Sequence, residues 1–305
     1  MSHSLIKNRI KFIPRLGAYL SRLEQKPPRA LFSDAGALIN ALVRARKLFN
    51  LEALCVPIPP ALIGHDLGCR GEWRPDGFHL TSSLPADLTP GAFQSPGRQG
   101  FTRTLLETLQ GLKRLLPPSA GLIAALPGPR LLARHLPAPA PCPADCYLDG
   151  IMALARLCGE LNALSAVFVA ETFGEPAGDM SSLSADLNSI CRLLSFFDLP
   201  AFLSPDVLDP ETLNAADVRS AGFQGLILPA AAAMPDPGLK DVSIGYALPA
   251  AAFTAPMDIF KAQTAAILKN DPAFITTAGD IPMETGPERI HLLNSLTAAR
   301  APGRS

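Results

Sequence analysis

Residues 145–170 read DCYLDGIMALARLCGELNALSAVFVA. The first twenty place apolar residues at helical spacing. The last five, Ala166-Val-Phe-Val-Ala170, are a continuous apolar run, too short for a helix and rich in β-branched and aromatic residues. A helix that runs into a short, wholly apolar strand is the unit of a parallel sheet covered by helices. Only a strand buried on both faces needs no polar side.

The same unit recurs in both directions. Downstream, a helix over Ser184–Phe197 leads to a strand at Ala201–Leu203, and a short helix near Pro210–Ser220 leads to Gly225–Leu228. A strand at Val242–Tyr246, a helix over Pro256–Asn270, a strand at Ala273–Thr277 and a last helix from Pro287 follow. Upstream, Leu105, Leu109, Leu112 and Leu116 form one stripe of a helix over Phe101–Leu116. That helix enters a strand at Gly121–Leu126, which is followed by a helix over Arg130–Leu136. Before these, Asp34 reads as the N-cap of a helix carrying Leu38, Leu42, Ala45 and Phe49, which enters a strand at Ala53–Pro57. Within His65–Thr81 a small hairpin turns at Asp76-Gly77. These are seven strands, with an eighth placed at Ala30–Phe32, and the first 25 residues read as helical with a break at Pro14. The 305 residues fit one (β/α)8 barrel, which needs about 250. The reading is an α/β chain with a helical extension over 1–29, a barrel over 30–297 and a flexible tail over 298–305.

Hydrophobic residues make up 48% of the chain and charged residues 18%, ample for a large core. Lys+Arg and Asp+Glu are 27 each, so no surplus of one sign draws in nucleic acid or an anionic membrane, and neither is expected as a partner. The 31 prolines lie mostly between the periodic segments, as in Pro57-Ile-Pro-Pro60 and Pro137–Pro143, and read as rigid loops. Six cysteines without framework spacing, no secretory leader and no long apolar run place the chain in the cytoplasm with free thiols.

In such a barrel chemistry sits at the C-terminal ends of the strands. Those positions are mostly apolar here, and their polar groups are few: Arg130, Glu171, Asp206, Tyr246, Thr276, Thr277 and Asp280, with His65 reaching the rim from a loop. Glu171 directly follows an apolar strand, where desolvation raises a carboxyl pKa and suits it to acid/base work; a carboxylate capping a helix is the other reading. Asp280 follows Thr276-Thr-Ala-Gly279, where the backbone can approach a ligand. Arg130, after Pro127-Gly-Pro129, could hold a carboxylate bidentately or simply face water. The pairs His65/Cys69 and Cys142/Cys146 have no third partner, so no metal is expected.

Two stretches resemble the uroporphyrinogen decarboxylase and corrinoid methyltransferase superfamily. One is Asp34-Ala-Gly-Ala-Leu-Ile-Asn-Ala-Leu42 through Leu54-Cys-Val-Pro-Ile-Pro59 to Leu67-Gly-Cys69. The other is Phe274-Ile-Thr-Thr-Ala-Gly-Asp-Ile-Pro-Met-Glu-Thr-Gly-Pro-Glu-Arg-Ile-His-Leu-Leu293, similar to the family's closing strand, Gly-rich turn and last helix. Ala125-Leu-Pro-Gly-Pro129 looks like its Gly-Pro turn. The resemblance implies a barrel acting on a small-molecule substrate with a corrinoid (cobalamin) or tetrahydrofolate as methyl carrier, and a corrinoid-binding protein as partner. The alternatives it leaves open are a tetrapyrrole decarboxylase and a barrel that binds without catalysis; a homodimer is also left open. The departures are specific. Pro14-Arg-Leu-Gly-Ala-Tyr19 lacks the second arginine of the decarboxylases' carboxylate-binding segment, and Phe32-Ser-Asp34 spells their Phe-Ser-Asp but precedes a helix. The places where the methyltransferases carry zinc ligands read Leu203-Ser-Pro205 and Thr277-Ala-Gly279.

Overall fold

The computed structural model describes residues 11–75, 77–94, 100–136, 144–172, 180–205, 215–230 and 242–299. The chain opens with strand β1 (Lys11–Ile13), helices α1 (Tyr19–Glu24), α2 (Pro28–Phe32) and α3 (Ala35–Phe49), and strand β2 (Ala53–Pro57). Helix α4 (Pro60–Asp66), strands β3 (Gly71–Arg74) and β4 (Gly77–Leu80), and helices α5 (Pro90–Phe93) and α6 (Gly100–Leu115) lead to β5 (Gly121–Pro127). Then come α7 (Pro129–His135), α8 (Ala144–Glu160), β6 (Ala166–Glu171), α9 (Met180–Phe196), β7 (Ala201–Pro205), α10 (Ala215–Ser220) and β8 (Gly225–Pro229). Strand β9 (Ser243–Leu248), α11 (Ala250–Thr254), α12 (Met257–Lys269), β10 (Phe274–Thr277) and α13 (Pro287–Ala299) complete it.

Eight strands form one parallel sheet in the order β1-β10-β9-β8-β7-β6-β5-β2, and a parallel bridge between Arg15 and Cys55 joins its two ends into a barrel. All seven strands expected from the apolar runs are present. The eighth is not where it was expected. Pro27-Pro28 starts a helix at Pro28–Phe32, since proline is suited to a first helical turn, and the missing strand is Lys11–Ile13, paired with β10. The segment read as a helical extension therefore supplies a strand of the barrel wall, followed by the short α1. Asp34 caps α3 as expected, its Oδ1 accepting the Ala37 N–H at 3.1 Å. The hairpin β3–β4 is also present; Asp76 lies outside the described residues.

Alternation along each strand divides the core in two. Ile13, Ala53, Cys55, Ile123, Ala125, Ala166, Phe168, Phe202, Ile227, Ala247 and Phe274 pack together in the lumen. Leu54, Val56, Leu126, Val167, Val169, Leu203, Leu228 and Tyr246 face the helices. Three rings plug the lumen: Phe274 stacks on Phe168 with centroids 5.4 Å apart, and Phe202 meets them edge-on at 5.4 and 5.8 Å. Gly225 and Gly245 carry no Cβ that would strike the Phe202 and Phe274 rings. Towards the mouth the inward positions turn small, at Ala170, Ser204, Ala247 and Thr276. Among the described residues no helix is long and apolar enough to cross a membrane.

Candidate active site at the barrel mouth

Among the described residues a cluster of polar groups forms at the mouth where β10, β1 and β2 meet. The Arg15 backbone N–H donates to Thr277 Oγ1 at 3.0 Å, and Ile281 N–H donates to the Arg15 carbonyl at 2.9 Å. Thr277 Oγ1 donates in turn to the Gly279 carbonyl at 2.6 Å, and Thr276 Oγ1 to the Ile13 carbonyl at 2.7 Å. The turn after β10 is thus stitched to the turn after β1. Arg15 Nη1 donates to the Ala278 carbonyl at 2.8 Å, while its Nε is buried without a hydrogen-bond partner among the described residues. A guanidinium N–H left without an acceptor is an unused hydrogen-bond donor, suited to an anionic or carbonyl oxygen.

Asp280 lies beside this arginine. Burial raises its carboxyl pKa; the Arg15 charge and the Ala18 N–H pull it back down. Gly17, at φ 38°, makes the approach feasible, since a Cβ there would fall on the Asp280 carboxylate. Cys55 completes the sector from the lumen face of β2. Burial pushes its thiol up to about 12, with Arg15 lowering it and Asp280 raising it, so it stays protonated at neutral pH.

Glu171 is placed differently. Along β6, Ala166 and Phe168 face the lumen and Val167 and Val169 face the helices, so Glu171 follows the outer row. Its side chain caps α7. Oε1 accepts the N–H groups of Leu131 at 2.7 Å and Thr172 at 2.8 Å, and Oε2 accepts that of Arg130 at 3.3 Å. The residue is fully buried, and Gly128 is the gap that admits it. Desolvation raises its carboxyl pKa to about 7 against the three backbone donors and the Arg130 charge. The raised pKa expected from the sequence is present, but in the wall of the barrel, in the capping arrangement that was the other reading of this residue.

The remaining candidates disperse. Arg130 stands in the first turn of α7, next to Glu171. Tyr246 is buried on the outer face of β9, its hydroxyl accepting from Asn270 Nδ2 at 3.1 Å. His65, at the end of α4, lies edge-on to Phe78 and Phe101 with centroids 5.2 and 5.0 Å away, beside the hairpin. Asp206 lies outside the described residues. The structure therefore brings Thr276, Thr277 and Asp280 together, and adds Arg15 and Cys55, which the strand-end reading did not single out. Had Lys11–Ile13 been read as a strand, the same rule would have named Arg15. Cysteines 55, 69, 146, 158 and 191 are free and buried, and Cys142 lies outside the described residues. Among the described residues no three His, Cys, Asp or Glu side chains converge on a metal position.

No family model and no curated protein matches the sequence. Solved structures do. A methyltransferase from Methanosarcina mazei superposes with a TM-score of 0.75 at 15% identity, over 97% of this chain and 94% of that one. A B12-independent methionine synthase from Shewanella sp. W3-18-1, in complex with selenomethionine, gives 0.55 at 12% identity over 86% of each chain. A family 39 glycoside hydrolase from Bacteroides cellulosilyticus WH2 gives 0.51 at 10% identity, over 96% of this chain and 65% of that one. At these identities, and with a glycosidase among the matches, the likeness establishes the barrel fold.

Proposed function

We propose that this barrel is a methyl-transfer enzyme whose substrate enters the C-terminal mouth and is held in the sector of β10, β1 and β2. The observation that carries the reading is Arg15, a guanidinium with a buried, unpaired Nε at the end of β1, beside the Asp280 carboxyl. Agreement along nearly the whole of both chains with a methyltransferase barrel supports it. Methyl transfer is an in-line displacement, so it requires a nucleophile and a leaving group held in line and water kept out, more than a dense array of charge. Arg15 anchors an anionic end of the substrate, Thr277 and Asp280 hold Arg15 in place, and the small lumen positions above the phenyl plug give the reacting end room. Glu171 has no part in the chemistry, because its carboxyl is turned to α7.

The resemblance to the corrinoid methyltransferases names the methyl carrier as a corrinoid on a partner protein, or a folate. The fit rests on the rest of the lumen row at the mouth, Pro57, Pro127, Ala170, Ser204, Pro229 and Ala247, apolar at every position but the serine and suited to a flat, largely apolar group. When bound, that carrier supplies the methyl group; the chain's own residues bind, orient and exclude water.

The test is to titrate the purified protein separately with methylcobalamin, 5-methyltetrahydrofolate and uroporphyrinogen, following thermal shift and ligand absorbance. Trp73 is a poor reporter because it sits in the hairpin's ring cluster against Phe32, Phe78 and Phe101. Saturable binding of either methyl carrier, with methyl transfer to an added anionic thiol that Arg15→Met slows by about a hundredfold or more, is the expected result. Consumption of uroporphyrinogen alone would move the assignment to decarboxylation, for which Arg15 is also a suitable carboxylate anchor. Binding of none of the three would overturn an enzymatic reading built on these ligands.

A further inference from the structure

The face of the barrel opposite the mouth carries a hollow of about 540 Å³, formed where α6, α8 and α9 end and β5, β6 and β7 begin. Leu116, Pro117, Leu164 and Phe197 supply apolar walls, and Lys113 and Asp198 stand among them. Gly159 of α8 leaves room for the Phe197 ring, since a Cβ there would strike it. With Phe197 seated, its neighbour Phe196 at the end of α9 is turned out. The two rings meet edge-on with centroids 5.2 Å apart, and Phe196 is 80% exposed. Leu115, next to the wall residue Leu116, is 61% exposed. Among the described residues these are the two most exposed large hydrophobic side chains, and both belong to segments that line the hollow. Exposed apolar side chains scattered singly mean little; gathered at a concavity they mark a docking surface. The two charges there are available. Lys113 Nζ donates to the Leu161 carbonyl at 2.8 Å, which fixes the ammonium at the end of α8 and leaves two of its three donors for other acceptors. Asp198 follows α9 in the left-handed conformation, at φ 55°, and its side chain is exposed with no ion pair among the described residues.

We propose that this face is a two-fold interface with a second copy of the chain, in which Phe196 of each copy enters the hollow of the other and Lys113 of each faces the partner's Asp198. The face is complementary to itself. A projecting ring and a hollow lie side by side on it, as do a cation and an anion. A two-fold axis sets each feature against its complement, twice. A small molecule is the poorer fit, because its pocket would hold the largest apolar side chains inside, and here they stand outside. A strongly acidic or strongly basic partner would meet a like charge on this face, whereas a second copy brings both signs. With Lys+Arg and Asp+Glu at 27 each, two copies do not repel one another at long range. Because the hollow lies at the N-terminal ends of the strands, the two mouths face away from each other. The interface does not depend on which reaction the mouths perform.

The experiment is sedimentation equilibrium of the full chain over about 1 to about 100 µM, where the wild type should pass from monomer to dimer. Phe196→Ser removes two rings from each dimer and should weaken association by about a hundredfold. Lys113→Glu and Asp198→Lys each set like charges across the axis and should each weaken it by about tenfold. All three positions are exposed, so the fold of each variant should survive, as circular dichroism will show. Mixed in equal amounts, Lys113→Glu and Asp198→Lys should regain the wild-type association, because each supplies the charge that the other has lost. A wild type that stays monomeric at about 100 µM would overturn the proposal. So would a dimer that Phe196→Ser leaves unchanged, or a mixture that associates no more tightly than its components.

Discussion

Among the described residues two carboxyl groups stand near the strand ends at the mouth, each lodged against a glycine and each raised in pKa by burial. Asp280 lies against Gly17, next to a guanidinium with a donor to spare; Glu171 lies against Gly128, closed in and used up by the backbone of α7. A carboxyl near a strand end with a raised pKa is often taken as a sign of chemistry. Here that sign points more strongly to Glu171, whose side chain is on the wrong face of the strand. What separates the two is the row of the strand they follow and whether the neighbouring donors are already engaged.

Substitutions can break or sharpen this contrast. The largest effect is expected at Arg15. Arg15→Met should lower turnover of the proposed transfer between about a hundredfold and about a thousandfold, as loss of one well-placed donor does elsewhere. Glu171→Gln, assayed below neutral pH, should stay close to wild type; equal losses in the two variants would erase the distinction.

Next is the pH dependence of stability. The folded Glu171 binds its proton more tightly than the unfolded chain does, so this group favours folding fully below about 4.5, and its contribution is lost as pH rises to about 7. That amounts to at most about 3 kcal/mol. Urea denaturation of wild type and Glu171→Gln across this window measures it, and the variant should show a flatter profile.

A smaller effect is expected at Gly17. Gly17→Ala sets a Cβ against the Asp280 carboxylate at a positive φ and should lower stability by about 2 kcal/mol, while weakening substrate binding. The smallest is at Thr277, where Thr277→Val removes the acceptor of the Arg15 N–H and the donor to Gly279, about 1 kcal/mol by thermal melting.

How legible each part was in the sequence follows from local pattern. Strands such as Ala166–Glu171 and Gly121–Pro127 announce themselves because they are buried on both faces, which leaves an uninterrupted apolar run. Strand Lys11–Ile13 has three residues, a lysine first and Pro14 next, and no period can be read from so short a piece; its place is set by pairing with β10. The site inherits that blindness. Thr276 and Thr277 close a legible strand and Asp280 follows it, so all three were singled out; Arg15 follows an illegible one and was not. Glu171 was singled out but its face was not legible, because which row points into the lumen depends on how all eight strands close. The register of β6 alone does not contain it.

The pairing of β1 with β10 has a consequence in time. The sector around Arg15 and Asp280 is sewn together from residues more than 260 positions apart, as in the bond from Arg15 N–H to Thr277. A growing chain on the ribosome can bury most of its helices and strands yet has no such sector until the last strand has emerged and met the first. Assembly of the barrel's seam and the appearance of the candidate site are then a single late event, so partly synthesised or partly folded chains are silent.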